Sequence, residues 1–315
     1  MNSHFLSALI QKMSRAWILL FLLALSAHAQ SELNLRGAID TRVHVSPDNV
    51  ARAIDADDLA RLFKKSGIRG FVLVNHWEAT DALAYMVRKA VPGIEIFGGI
   101  EMDQSTGGIN VEAVKRMTTM KGGWGKVVWM PTFDAVTFTN WVKKDGKGRP
   151  YSTTLVPMSR DGHLLTSVLE VIDFVAQHPE LLLETGHNSA EEALMVVHEA
   201  HQRGVKHIVV TGAMDPVVNM TIAQMQQAAQ EGAYIEFAYS NAFGSEPERT
   251  MGEFADAIRK IGPKSCILST NFVDYPTHPQ ALLEFMEALH KEGISVADID
   301  LMTKVNPAFV LGLKQ

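Results

Sequence analysis

From residue 34 onward the chain switches repeatedly between two hydrophobic rhythms. Short β-branched or apolar runs alternate with longer stretches whose apolar residues recur at helical spacing. Eight short runs read as strands: Gly37–Val45, Gly70–Asn75, Glu95–Ile100, Lys126–Met130, Leu181–Thr185, His207–Thr211, Tyr234–Ala238 and Cys266–Ser269. The amphipathic stretches Asp57–Ser66, Thr80–Ala90, Val111–Met120, Leu165–Gln177, Ala190–Arg203, Thr221–Glu231, Glu248–Ile261 and Pro279–Glu292 read as helices. Ser66-Gly67, Arg203-Gly204 and Glu231-Gly232 stand where helix C-caps would feed the next strand. Eight βα units in about 280 residues predict a closed (β/α)8 barrel, the TIM barrel of the α/β class. A last helix is read at the tail, with Asn306 as N-cap and Pro307 in its first turn.

One segment breaks the rhythm. Thr132–His163 carries the run Lys143-Lys144-Asp145-Gly146-Lys147-Gly148-Arg149-Pro150 between two aromatic, Thr-rich stretches. It reads as a hairpin-like insertion after strand 4. At that place it is either a solvated loop or a lid over the barrel mouth, where the basic run would attract an anionic substrate.

Before the repeat, Lys12 and Arg15 precede the apolar run Ala16–Leu25, and Ala27-His28-Ala29 supplies the small residues of a signal-peptidase site. Residues 1–29 read as a signal peptide and 30–315 as the barrel, secreted or, in a Gram-negative cell, periplasmic. Ten apolar residues are about half a membrane span, so no stable anchor is expected after cleavage. Composition fits a folded domain: 315 residues, 47% hydrophobic, 20% charged, net charge −6. No basic stripe interleaved with aromatics marks a nucleic-acid partner, which leaves a small molecule. The single cysteine, Cys266, excludes an internal disulfide, a CxxC redox pair and a Cys-rich zinc site.

In such a barrel the chemistry sits at the C-terminal ends of the strands. Strand 1 ends Asp40-Thr41-Arg42-Val43-His44-Val45, and period-two alternation places Asp40, Arg42 and His44 on one face. These form either a structural Asp40–Arg42 ion pair or part of a site. Strand 2 ends at Asn75-His76-Trp77 and strand 5 at Glu184-Thr185-Gly186-His187. Strand 7 carries Glu236, and strand 8 runs into Asn271 and Asp274. His198, His201, His207 and His290 lie on or beside helices and are read as structural.

Six stretches resemble the amidohydrolase superfamily of metal-dependent hydrolases, and within it an uncharacterised family of amidohydrolase-like barrels. They are Gly37–Asp48, Phe97–Ile100, Gly107–Asn110, Val127–Thr132, Thr185-Gly186-His187 and Val305–Ala308, in matching order. The resemblance implies a His-x-His after strand 1, histidines after strands 5 and 6, and an Asp after strand 8, holding one or two divalent ions. Here the first motif is Arg42-Val43-His44, no histidine lies in Val210–Asp215, and Asn271 replaces the acid. Only His44 and His187 match ligand positions, with His76 as an accessory. Two imidazoles fall short of the three protein ligands of a catalytic zinc, and a fixed guanidinium repels a cation, so a conventional zinc centre is not expected. Asp215 or Asp274 would have to complete it.

Arg42 suggests the course that some metal-free lactonases of the superfamily take, in which cationic side chains polarise the carbonyl. The expectation is a hydrolase of an amide, lactone or ester of a small carboxylated molecule. Arg42 polarises or anchors, His187 or His76 moves protons, Glu236 or Asp274 orients water, and Asp40 and Asn271 line the substrate site. The alternative is a catalytically inactive barrel that binds a small ligand.

Overall fold

The computed structural model describes residues 33–145, 154–243, 247–271 and 280–314. The signal-peptide reading at 1–29, Asp274 and most of the basic run lie outside the described residues. Eight parallel strands form one sheet in chain order: β1 (Ile39–His44), β2 (Gly70–Val74), β3 (Glu95–Glu101), β4 (Gly125–Trp129), β5 (Leu182–Glu184), β6 (Ile208–Val210), β7 (Tyr234–Ala238) and β8 (Cys266–Ser269). All eight expected helical stretches are present, with ends shifted by no more than three residues. Two of these helices begin with reciprocal capping boxes, Thr221 with Gln224 and Thr250 with Glu253.

The barrel is nearly closed. Between β8 and β1 the Asn271 N–H donates to the Arg42 carbonyl at 3.0 Å, and the Thr270 N–H and hydroxyl both donate to the Asp40 carboxylate, at 3.0 and 2.6 Å. Ile39, Val72, Phe97, Val127, Leu182, Val209 and Ile267 supply one apolar side chain each to an interior cluster that Ala308, Val310 and Leu311 complete. Trp124 and Tyr234, at the starts of their strands, pack against this cluster. The cluster also takes in Val74 and Trp129, the last residues of β2 and β4, so the apolar plug runs from the strand starts up to the polar side chains of the mouth.

Three local expectations are corrected. Asp40, Arg42 and His44 do not share a face by alternation. Ile39 is in the interior cluster, yet Arg42 also reaches interior groups, because β1 carries one extra residue between Asp40 and Val43 relative to β2. Such a bulge reverses the facing of everything beyond it. It turns Arg42 inward and leaves Asp40 at the seam.

Asn306 is not an N-cap. It has helical angles, φ −63° and ψ −46°, inside a run that starts at Val296, and its amide donates to the carbonyls of Pro263 and Cys266 at 2.9 and 2.7 Å. Pro307 lacks a donor for the preceding turn, and Leu301–Val305 widens into a π-turn just before it.

The excursion after β4 does contain a hairpin, but a short one, Ser159–Arg160 against His163–Leu164, turning at Asp161-Gly162 with φ of 52° and 77°. Its first aromatic stretch is instead a helix, Val136–Asp145.

Candidate active site

The barrel mouth holds an unusual density of buried charge. The guanidinium of Arg42, 3% exposed, donates through Nη1 to Glu236 Oε2 at 3.1 Å and lies 3.6 Å from Asp215 Oδ2. Glu236 Oε2 also accepts the Gly212 N–H at 3.0 Å, and Asn241 donates to Asp215. Burial and the neighbouring Glu236 push Glu184 well above the usual carboxylate range. Burial also raises Asp215, against the pull of Arg42. Of the two readings of strand 1, the Asp40–Arg42 ion pair is not among the described contacts. Asp40 accepts the Arg42 backbone N–H at 3.3 Å and binds Thr270, while the Arg42 charge answers Glu236 and Asp215.

Arg42 Nη2 also lies 2.7 Å from His187 Nε2. A guanidinium only donates, so Nε2 accepts and the imidazole proton sits on Nδ1. That Nδ1 is buried and has no partner among the described residues. Burial, helped by the charge of Arg42, holds His187 well below the ordinary histidine range, so it is a neutral donor at pH 7. Its placement follows from Gly186, whose φ is 67° and where a Cβ would come 2.3 Å from the Met130 carbonyl. The His187 N–H and the Asn188 amide both donate to the Pro131 carbonyl, at 3.0 and 2.9 Å, locking the β5 turn to the β4 turn.

Opposite stands His76, after β2, set by a turn in which Asn75 Oδ1 accepts the N–H groups of Trp77 and Glu78. Its Nδ1 meets Glu101 Oε2 at 2.5 Å and Thr132 Oγ1 at 2.8 Å. Thr132 also contacts Glu101, and Asp103 Oδ2 at 2.5 Å. Asp103 accepts backbone N–H bonds from Thr132, Phe133 and Asp134 at 2.8, 3.1 and 3.1 Å, yet burial and the charge of Glu101 raise it to about 6. His44 stacks on the other side of His76, ring centroids 5.0 Å apart, and its Nδ1 lies 3.4 Å from Arg52. Burial, then the charges of His76 and Arg52, hold His44 well below its ordinary value.

The insertion forms a roof. Phe133 stacks on His76 at 3.5 Å between centroids and on Phe138 at 4.7 Å, and Phe138 stacks on His187 at 5.5 Å. Val217, from the turn after β6, packs against the same aromatic cluster. The first part of the insertion thus packs its aromatic rings against His76 and His187.

Of the residues expected from sequence, the described structure gathers Arg42, His44, His76, His187 and Glu236. It places Asp40 at the seam and puts Asn271 at the rim, its amide donating to Ser240 at 3.2 Å. Glu101, Asp103 and Thr132 escaped sequence reasoning. The signal for Glu101 was present: Phe97 faces inward, and two steps of two reach Glu101, had strand 3 been carried one residue past Ile100.

A metal in the positions implied by the resemblance does not fit. The guanidinium of Arg42 already lies against His187 Nε2, Glu236 and Asp215, so His44 and His187 do not form a ligand pair there. The cradle is filled by a fixed cation.

Solved structures that share the fold include the following three. An organophosphorus hydrolase from Deinococcus radiodurans is 16% identical with a TM-score of 0.58, over 88% of this chain and 92% of that one. A TatD homologue from Escherichia coli K12 is 13% identical with a TM-score of 0.59, over 89% and 100%. A Pseudomonas putida protein assigned as a 2-pyrone-4,6-dicarboxylic acid hydrolase is 14% identical with a TM-score of 0.53, over 90% and 100%. Among curated protein sequences none matches. Residues 37–236 match the model of a family described as of unknown function.

Proposed function

We propose that this chain, which belongs to the family of unknown function DUF6282, is a hydrolase of the amidohydrolase type that acts on an amide, lactone or ester of a small carboxylated molecule outside the cytoplasm. The observation that carries this reading is the His187 Nδ1–H. It is a buried neutral donor fixed by Arg42 and without a partner among the described residues, and it stands at the mouth of a barrel whose likenesses in fold are named hydrolases. A buried donor of this kind is stabilised by an acceptor, and a substrate carbonyl supplies one.

In this reading water attacks the carbonyl carbon, and the charge growing on the carbonyl oxygen is met by His187 Nδ1–H. Arg42 acts through His187 and is a positioning residue. Glu236 Oε1, buried without a partner among the described residues, orients the water. The proton passes to a carboxylate of the cluster of His76, Glu101 and Asp103, which returns it to the leaving alkoxide or amine as the carbonyl C–O or C–N bond breaks. Phe133 and Phe138 exclude bulk water, which strengthens each of these interactions.

The test is a screen of carboxylated lactones, esters and amides against residues 30–315, with His187→Phe beside the unsubstituted chain. A turned-over substrate should lose about 100-fold or more in kcat in His187→Phe. Equal rates in both would remove His187 from the chemistry. A compound that raises Tm without being turned over would favour the second reading, an inactive binder, which the neutralisation of Arg42 by Glu236 and Asp215 supports.

A further inference from the structure

The contacts around His76 do not balance as hydrogen bonds. His76 Nδ1, Glu101 Oε2, Asp103 Oδ2 and Thr132 Oγ1 meet at one point through four contacts: His76 with Glu101, His76 with Thr132, and Thr132 with each carboxylate. Two protons serve them, one on the hydroxyl and one on a neutral imidazole Nδ1. Two contacts are left without a proton of their own, and one of them sets the hydroxyl oxygen against a carboxylate oxygen. His76, Glu101 and Asp103 are 3%, 1% and 1% exposed, so water does not shield this charge. A positive charge among the four atoms removes the conflict.

The geometry points to a divalent cation site formed by His76 Nδ1 and the carboxylates of Glu101 and Asp103, with Thr132 Oγ1 as a further contact. Ligand atoms of the three residues all lie within 4.8 Å of one another. One imidazole and two carboxylates make three protein ligands and leave open positions, the arrangement of an ion that takes a water or a substrate oxygen. The donor types suit zinc, manganese or ferrous iron. The ligands are held from behind: three backbone N–H groups fix Asp103, and Phe133 and His44 sandwich the His76 ring.

An independent sign of a ligand is His187. It is 6% exposed, its Nδ1–H has no partner among the described residues, and its ring centroid lies 5.9 Å from that of His76. A donor so placed suits an oxygen bound between the two histidines. The site belongs to the ends of β2 and β3, away from the Arg42 cradle. It deepens the hydrolase reading, because an ion there would polarise a substrate oxygen or bound water, but its occupation does not depend on that reading.

The test is calorimetric titration of the chelator-treated chain with MnCl2 and with ZnCl2. One ion should bind per chain with a Kd below about 10 μM. His76→Ala and Glu101→Gln should each weaken it at least tenfold with the circular dichroism spectrum unchanged. Asp58→Asn, in the exposed group Asp55, Asp57 and Asp58, should leave it unchanged. No saturable binding of either ion, binding indifferent to both substitutions in the buried cluster, or binding lost in Asp58→Asn overturns the site. If the cluster variants fail to fold, X-ray absorption of the zinc-loaded unsubstituted chain decides: one imidazole among oxygen ligands supports the site, and two or more imidazoles overturn it. Turnover by an ion-free chain would remove the ion from the reaction and leave the hydrolase standing. Ion binding without turnover of any carboxylated ester, amide or lactone would do the reverse.

Discussion

Asp40 shows how one buried carboxylate couples fold to pH. Burial, against the hydrogen bonds from Thr270 and Arg42, lifts it from 3.8 to about 6. Between those values the native chain keeps a proton that the unfolded chain has released, so this group makes stability fall as pH rises through about 6. The whole difference amounts to about 3 kcal/mol. His44 and His187, held neutral, act in the opposite direction as pH falls below the ordinary histidine value. Comparing Asp40→Asn with the unsubstituted chain in urea at pH 4 and pH 7 cancels the histidines. The variant should gain about 2.5 kcal/mol relative to the parent between pH 4 and pH 7, and a constant difference would mean that Asp40 does not titrate in this range. Arg42→Ala leaves Glu236 and Asp215 buried without their cation and should cost about 3–5 kcal/mol of stability by urea melt. A loss below about 1 kcal/mol would contradict its role as buried counter-ion. The sequence offered His44, His76 and His187 as strand-end residues, but not that Arg42 would set the tautomer of His187. That contact joins residues 145 positions apart.

At the scale of elements, the strands and helices were legible because each carries its own period and its own caps. What local pattern missed was the one-residue bulge in β1, which depends on the register with β2 and reverses the facing of Arg42. The tail shows the same limit. Asn before Pro has the local signature of a helix start, yet Asn306 lies inside a helical run, since its amide finds better partners in two carbonyls ahead of and within β8. Asn306→Ala strands both carbonyls and should lower stability by about 2 kcal/mol, measured by thermal or urea unfolding. A neutral result would mean that these two bonds do not hold the tail against β8. In the insertion, Phe138 and Trp141 lie on the helix Val136–Asp145 and Phe133 just before it, and the three rings pack as one cluster against the mouth. A free loop would not order those rings.

At the scale of the whole molecule, the apolar plug and the polar mouth divide the barrel into a stabilising end and a chemical end. Export is the remaining proposal at this scale. Expression of the full chain in a Gram-negative host should yield a periplasmic product whose intact mass begins at Gln30, one residue after Ala29. A product that keeps residues 1–29 and stays with the membrane would replace a cleaved leader by an anchor. What Arg42 does at the mouth is likewise a property of the assembled barrel. Arg42 meets Glu236, Asp215 and His187 only because strands 1, 5, 6 and 7 converge.

The sequence by itself determined the eight βα units, their order, and the histidines at strand ends, because hydrophobic period, capping and turn chemistry act over a few residues and are written locally. Only the tertiary structure decided which polar groups meet. It turned Arg42 inward through a bulge, spent its charge on two acids, left His187 a buried donor, and gathered His76, Glu101, Asp103 and Thr132 from three strand ends. Those outcomes depend on register and on through-space charge, and neither has a signature in the spacing of residues along the chain.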